Sequence, residues 1–145
     1  MFVFRMHRPS VGPFDTTGAF LVPGRWHSAG SRVIYTAEHA SLAALETLVH
    51  AGGRKIPPRA VSRILIPDDL PSESADWMDF PDSQRYGDMW ANALRSAVLR
   101  VPSVVVNRME SNFLLNPAHP DFTRIQADSS GEFEFDTRFF PTFQI

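Results

Sequence analysis

Residues 39–51 carry the clearest secondary-structure signal in this chain. Leu42, Leu45 and Val49 recur at the spacing of a helix, and two glycines follow directly as a stop signal. We therefore predict a helix over residues 39–51. Most of the other apolar segments are short and indicate strands rather than further helices.

A second helix is predicted over residues 87–99, with Trp90, Leu94 and Val98 on one face. The alternating phenylalanines of residues 132–136 indicate a strand. Further strands are predicted at residues 2–6, 32–36, 61–66, 102–106 and 122–126, and residues 111–121 begin extended and end in a proline-bounded turn. The loops are predicted at residues 10–30 and 67–83.

Many strands with two helices that do not alternate strictly with them indicate the α+β class. The 145 residues fit a single domain, 1–145, and the sequence shows neither an internal repeat nor a linker. A chain of this length can bury roughly two-thirds of its unfolded surface, which is enough for a real core.

The charge pattern argues against nucleic acid as the main partner. The formal net charge is −2, and the 14 Lys and Arg residues are scattered rather than gathered into a basic stripe. The chain has no cysteine, which fits a reducing compartment. It also has no run near the ~18 apolar residues of a membrane span and no signal-peptide pattern. We therefore expect a cytoplasmic protein that binds neither nucleic acid nor membrane.

Two charged residues stand in surroundings that are otherwise apolar or small. Glu46 lies within the apolar stripe of the first predicted helix, and Arg25 lies between Gly24 and Trp26. Burying a charge costs free energy unless it pairs or meets a ligand, and a guanidinium suits phosphate or carboxylate. Both residues are therefore candidates for a ligand-binding site. The alternative for Glu46 is a side chain whose carboxylate reaches water, and the alternative for Arg25 is an ordinary surface arginine.

Three further residues are candidates for the same site. Tyr35 ends an apolar strand, so its ring is either core with the hydroxyl at the rim or a platform for a flat ligand. Ser103 begins a predicted buried strand and lacks the Gly-x-Ser-x-Gly elbow, which favours a hydrogen-bonding role, although a base elsewhere in the fold stays open. Arg5 lies on the first predicted strand. Because side chains alternate along a strand, Arg5 faces away from Phe2 and Phe4, and the alternative to a site role is that it is simply solvated.

Metal and nucleotide motifs are weak in this sequence. Glu46 and His50 share a helix face one turn apart, which is half of a metal site, but there is no His-Glu-x-x-His and no cysteine. No Walker A or Gly-x-Gly-x-x-Gly loop occurs. We predict no metal, and a Glu46/His50 metallohydrolase remains the weakest alternative.

Several short motifs follow one another along nearly the whole chain. They are Phe4-Arg5, Gly24-Arg25-Trp26, Val33-Ile34-Tyr35-Thr36, Leu45-Glu46, Gly87-Asp88-Met89-Trp90, Val101-Pro102-Ser103 and Asn112-Phe113-Leu114-Leu115-Asn116-Pro117. In order and spacing they resemble the RES-domain toxins of RES–Xre type II toxin–antitoxin pairs. That family usually has Gly-Gly-Arg-Trp-Asn, where this chain has Pro23 for the first glycine and His27 for the asparagine.

The resemblance implies an ADP-ribosyltransferase-like fold of mixed or antiparallel sheets with flanking helices. It also implies NAD as the substrate, with cleavage of the nicotinamide–ribose bond and an acceptor that is water, phosphate or a protein side chain. Arg25, Glu46 and Ser103 would be the catalytic residues. Arg5, Arg25, Tyr35 and Ser103 would bind NAD.

The implied partner is an Xre-like helix-turn-helix antitoxin, held in a hetero-oligomer, with a toxin dimer left open. An alternative of another class is an inactive domain of the same fold that only binds its antitoxin. The family is named for an arginine, a glutamate and a serine. This chain has all three, as Arg25, Glu46 and Ser103, which favours the enzyme.

Overall fold

The computed structural model describes residues 1–141, so the last four residues of the predicted domain 1–145 lie outside the described residues. The strands of this part are β1 (Phe2–His7), β2 (Ile34–Ala37), β3 (Arg59–Leu65), β4 (Ser72–Ser74), β5 (Val98–Pro102), β6 (Ser111–Leu115) and β7 (Gln126–Phe133). Its α-helices are α1 (Thr17–Leu21), α2 (Ala40–Ala51) and α3 (Asp82–Asn92), and 3₁₀ helices span Pro120–Arg124 and Thr137–Phe139.

All these strands join one seven-stranded sheet in the order β4-β5-β6-β2-β1-β3-β7. Neighbouring strands are antiparallel except for β4 and β5, which are parallel. The sheet is therefore mixed, and the three α-helices are inserted after β1, β2 and β4 without a strict alternation of strand and helix. The prediction of a single α+β fold with a mixed sheet and flanking helices is confirmed.

The sheet is nearly divided between β1 and β2. These two strands pair at Phe4 and Ala37, whereas β1 and β3 stay paired from Phe2 through His7. If the register continued, Arg5 would face Thr36 and the next residue of β1 would face Tyr35, yet the strands part there. This separation leaves an opening in the middle of the sheet.

The core consists of apolar clusters on both sides of the sheet. One cluster includes Val3, Ile34, Ile64 and Leu115, all at most 1% exposed. The alternation of side chains along a strand explains why Ile34 belongs to this cluster while Val33 belongs to another. The second cluster contains Trp26, Val33, Ala75, Trp90, Ala91, Leu99, Val101 and Leu114.

The helix predicted at residues 39–51 is present as α2, and it ends where Gly52 adopts a left-handed conformation (φ 59°). The face it buries is not the predicted one. Leu42 is buried, but Leu45 and Val49 are 38% and 58% exposed. The helix turns Leu42 and the small Ala43 toward the sheet, because a small side chain allows close approach there.

The second predicted helix, 87–99, is wrong at both ends. The structure places α3 over Asp82–Asn92, gives Leu94 a positive φ of 51°, and starts β5 at Val98. The helical spacing of Trp90, Leu94 and Val98 was accidental, because Val98 is buried by strand pairing with β4 and β6. A short apolar run does not distinguish strand from helix, and here the partner strands decide.

Other boundaries also move. Residues 102–106 are not a strand, since β5 ends at Pro102 and a turn follows. A 3₁₀ helix replaces the predicted strand 122–126, and β7 takes only the start of 132–136. The predicted loop 10–30 contains α1, and loop 67–83 contains β4 and the beginning of α3. Residues 111–121 begin as β6 and end in a turn, as predicted.

No helix among residues 1–141 has both the length and the apolar character that crossing a membrane requires.

Candidate functional site

A cavity of about 530 Å³ opens where β1 and β2 separate. Residues 4–6 of β1 and 35–37 of β2 line it, together with α2 and the loop that precedes β2. Its size lies within the usual range of small-molecule sites, roughly 300–1,000 Å³. Four of the five predicted site residues line this cavity: Arg5, Arg25, Tyr35 and Glu46.

The carboxylate of Glu46 is anchored through one oxygen. Its Oε1 atom accepts hydrogen bonds from Ser103 Oγ at 2.8 Å and from Asn112 Nδ2 at 2.7 Å. Among residues 1–141, no group donates to its other oxygen. Two donors from the turn after β5 and from β6 therefore fix the orientation of a side chain on α2, and Oε2 keeps its capacity to accept a hydrogen bond.

Ser103 lies behind Glu46 rather than in the cavity wall. It is 1% exposed and follows the last residue of β5, so the prediction that it begins a strand is wrong. Its backbone N–H donates to the Glu110 carbonyl at 2.9 Å, and its carbonyl accepts from the Arg108 N–H at 2.7 Å. The turn that follows β5 thus holds Ser103 where its hydroxyl reaches Glu46 and little else.

Asn112 is a site residue that the sequence analysis did not identify as one. It is the second residue of β6, lines the cavity, and donates to Glu46. Of the two polar atoms of the amide, only the nitrogen can donate to a carboxylate, so the orientation of the Asn112 side chain is fixed chemically. The available signal was a polar residue inside the apolar strand Ser-Asn-Phe-Leu-Leu, opposite Ala37 of β2.

Arg25 stands at the corner of a tight turn. The Gly24 N–H donates to the His27 carbonyl at 3.0 Å, which places Arg25 and Trp26 at the tip. A Cβ atom on Gly24 would lie 2.7 Å from Tyr35 Oη, so any other residue there would displace the Tyr35 or His27 side chain. Within residues 1–141 the guanidinium makes no ion pair.

Side chains of helix α3 bind the backbone of this turn and of the residue that follows it. Ser83 Oγ donates to the Arg25 carbonyl at 2.7 Å, and Asp88 accepts from the backbone N–H of Ser28 at 2.9 Å and from its hydroxyl. Gly87 lets the helix come close, because a Cβ there would lie 1.8 Å from the Trp26 carbonyl oxygen. The quoted motif Gly87-Asp88 therefore supports the Arg25 turn.

Gln84 completes this contact between α3 and the turn. Its Nε2 atom donates to the Gly24 carbonyl at 3.2 Å and to the His27 carbonyl at 3.0 Å. These are the first and last residues of the turn. Nothing in the sequence indicated this role, because Gln84 touches the turn only in the folded chain.

Tyr35 and His27 form a buried hydrogen-bonded pair. His27 Nε2 donates to the carbonyls of Ala19 and Val22 at 2.8 and 3.0 Å, so its Nδ1 accepts from the Tyr35 hydroxyl at 2.7 Å. Burial raises the pKa of the Tyr35 hydroxyl well above its ordinary value, with the Trp26 N–H acting in the opposite direction. The hydroxyl is thus occupied, and Tyr35 is one of the residues that line the cavity.

Arg5 is tied to the loop before α1 rather than solvated. Its Nη1 donates to the Pro13 carbonyl, and its Nη2 donates to the Asp15 carbonyl at 2.7 Å. Burial lowers the pKa of Arg5 to about 10, although the nearby Asp15 carboxylate acts to raise it. Because a guanidinium carries five N–H donors, others remain for a ligand in the cavity.

The possible metal ligands do not coincide with the predicted pair. Among residues 1–141, one group of three has donor atoms within 4.8 Å of one another, namely Glu38, His39 and Glu110. It includes neither Glu46 nor His50, and Glu46 already bonds to two neutral donors.

Together, the fold and the site define an α+β domain with an anchored carboxylate and two arginines around a cavity in its sheet. The chain belongs to the RES domain family, whose model matches residues 2–136. This confirms the family predicted from the motifs.

The relatives carry toxin names. A "Prs ADP-ribosylating toxin" of Sphingobium sp. is 34% identical, and the match covers 83% of each chain. "Toxin Res" of Photorhabdus laumondii is 32% identical over 95% of this chain and 96% of its own. A chain in the crystal structure of the M. tuberculosis MbcT–MbcA toxin–antitoxin complex has a TM-score of 0.73 at 16% identity, covering 92% of this chain and 84% of that one. This last similarity shows a shared fold.

Proposed function

We propose that the protein is the toxin of a toxin–antitoxin pair and acts by cleaving the nicotinamide–ribose bond of NAD. The observation that carries the proposal is the Glu46 carboxylate, anchored through Oε1 by Ser103 and Asn112 and lining the cavity with the Arg25 and Tyr35 side chains. The name of the Sphingobium relative, an ADP-ribosylating toxin, supports the same substrate.

The chemistry requires a carboxylate at this position. When the bond from ribose C1′ to the nicotinamide nitrogen breaks, the electron pair leaves with nicotinamide and positive charge develops on the ribose, as in glycoside cleavage. A preorganised carboxylate stabilises that charge without having to reorient. Glu46 meets this requirement because its two hydrogen-bond donors hold it in place before substrate binds.

The other lining residues suit the rest of the dinucleotide. The Arg25 guanidinium offers a planar fork for the pyrophosphate, and the free donors of Arg5 add a second cation. The Tyr35 ring, with its hydroxyl held by His27, is a rigid surface on which nicotinamide can pack. Ser103 acts through Glu46, since it is 1% exposed and does not line the cavity.

Ser103 is therefore assigned as a hydrogen-bonding residue and not as a nucleophile. Glu46 lies close enough to Ser103 to accept its proton. Glu46 itself would then be neutralised at the moment when its negative charge is needed beside the ribose. A nucleophile must also reach C1′, and Ser103 Oγ lies behind the carboxylate. The acceptor is then a molecule from outside: water, phosphate or a protein side chain.

We propose an Xre-like helix-turn-helix antitoxin as the physiological partner, which inhibits by covering the cavity. The fold shared with a chain of a toxin–antitoxin complex supports a partner of this class. The formal charge of −2 fits a division of labour in which the antitoxin holds DNA and this chain does not. Failure of the co-expressed antitoxin to relieve toxicity would contradict this assignment.

The competing function is an inactive domain of the same fold that only binds its antitoxin. A domain that only binds its antitoxin would give no reason for a Glu46 carboxylate held by two hydrogen bonds. It would also give no reason for an Arg25 guanidinium that forms no ion pair within residues 1–141. The Glu46/His50 metallohydrolase is less favoured, because no third ligand joins that pair among residues 1–141.

Incubation of the purified protein with NAD, followed by separation of the products, tests the proposal. We expect free nicotinamide together with ADP-ribose, a phosphorylated ADP-ribose or an ADP-ribosylated protein, according to the acceptor supplied. An intact NAD pool after prolonged incubation with each acceptor class, with the protein shown to be folded, would favour the interaction domain instead.

A further inference from the structure

We propose that Gln84 of α3 is a positioning residue that sets the place of the Arg25 guanidinium. The inference rests on the proposed function, because the effect is to be read from NAD turnover. It starts from the two hydrogen bonds of Gln84 Nε2 to the carbonyls of Gly24 and His27. No other described side chain bridges both ends of the Arg25 turn.

The Arg25 side chain has little else to orient it. It forms no ion pair within residues 1–141, so its direction follows from the backbone of its turn. That backbone is closed by the hydrogen bond from the Gly24 N–H to the His27 carbonyl, 3.0 Å long. Gln84 donates to the carbonyls of the same two residues and so holds the ends of the turn at a fixed separation. This separation sets the direction in which the Arg25 side chain leaves the backbone.

Gln84 can be altered without emptying the core. The neighbouring contacts of α3 come from Ser83 and Gly87, which are fully buried. Gln84 is half-buried, at the edge of the contact. A methionine has nearly the same length and shape but no donor, so Gln84→Met removes the two hydrogen bonds and little else.

Loss of these bonds should change binding more than chemistry. Arg25 is assigned to the pyrophosphate, which does not react, so it binds ground state and transition state alike. A misplaced binding group then raises KM and leaves kcat nearly unchanged. Because loss of one charge-assisted hydrogen bond typically weakens binding by about tenfold, we expect Gln84→Met to raise KM for NAD by about tenfold, with kcat within about twofold.

The matched control is Gln126→Met on β7, an exposed glutamine that does not line the cavity. It should leave both kinetic constants unchanged. Gln84→Glu is the second variant, because a carboxylate next to two carbonyls can only accept hydrogen bonds, and it should raise KM at least as much as Gln84→Met. Thermal unfolding and circular dichroism of each variant establish that the compared proteins are folded.

A double-mutant cycle with Arg25→Lys separates positioning from a general structural effect. If Gln84 acts through Arg25, Gln84→Met should change KM less than twofold once Arg25→Lys is present. A tenfold effect that persists in the Arg25→Lys background, or wild-type KM in Gln84→Met, would overturn the proposal while leaving NAD cleavage intact. A wild-type protein that neither binds nor consumes NAD would overturn both.

Discussion

The Tyr35 hydroxyl donates to Nδ1 of the buried His27 over 2.7 Å. His27 is 3% exposed, and its Nε2 atom is held by two backbone carbonyls. The histidine of this chain therefore acts as a structural acceptor, which keeps the Tyr35 ring against the cavity.

This relationship predicts non-additive losses of stability. His27→Ala leaves the buried Tyr35 hydroxyl without its acceptor, which costs about 1–3 kcal/mol beyond the loss of the ring contacts. Adding Tyr35→Phe removes the stranded hydroxyl, so the double variant should lose less than the sum of the two single variants. Urea unfolding of the four proteins measures the difference. Additivity within about 0.5 kcal/mol would show that the two side chains do not interact.

Glu46→Gln should lower the rate of NAD cleavage by about 10²–10³-fold without unfolding the protein. The amide keeps the shape of the side chain and loses the negative charge, and removal of one preorganised electrostatic group typically costs ~10²–10³ in rate. Nicotinamide release under single-turnover conditions provides the measurement, with an unchanged melting temperature as the control. Turnover equal to that of wild type would remove Glu46 from the catalytic role.

Arg25→Lys should weaken NAD binding although it keeps the positive charge. A lysine ammonium cannot reproduce the bidentate contact of a guanidinium with pyrophosphate. We expect KM to rise by at least about tenfold, as for the loss of a charge-assisted hydrogen bond. Arg85→Lys on the exposed face of α3, where the side chain is 69% exposed, is the matched control. If both variants behaved alike, Arg25 would be only a surface cation.

Ser103→Ala and Asn112→Ala should each lower the rate without abolishing it. Either change leaves one donor on Glu46 Oε1. A hydrogen bond to a charged group is worth about 1.5–3 kcal/mol, which corresponds to roughly ten- to hundredfold in rate. The double variant should lose more than either single one. Mass spectrometry should find no ADP-ribosyl adduct on Ser103 during turnover, and a trapped adduct would show that this serine is a nucleophile.

Gly87→Ala should destabilise the protein and reduce NAD binding together. The new Cβ would lie 1.8 Å from the Trp26 carbonyl oxygen, so α3 or the Arg25 turn has to move. Overpacking of this kind costs about 1–3 kcal/mol. Gly131→Ala is the control, because its Cβ meets no atom within 4 Å and the expected change is within about 0.5 kcal/mol. Equal stabilities of the two variants would contradict the close contact of α3 with the turn.

Local sequence patterns were enough to predict those helices and strands that depend on residues close together in the chain. The helical repeat and the glycine that follows it predicted α2 to within a residue, and alternation predicted β1. The motif order identified the family, and the same motifs contain Glu46, Arg25 and Tyr35. These signals are local, because caps, turns and periodicity depend on neighbours along the chain.

Tertiary structure decided the rest, since the deciding partners are distant in the sequence. Val98 is a strand residue because β4 and β6 pair with β5, and helical spacing could not reveal that. Asn112 reaches Glu46 across 66 positions of the chain, and Gln84 reaches Gly24 across 60. Leu45 and Val49 are exposed because the sheet fits Leu42 and Ala43 instead. Hydrogen bonding and close fit between elements, rather than any local preference, place the carboxylate and the arginine on one cavity.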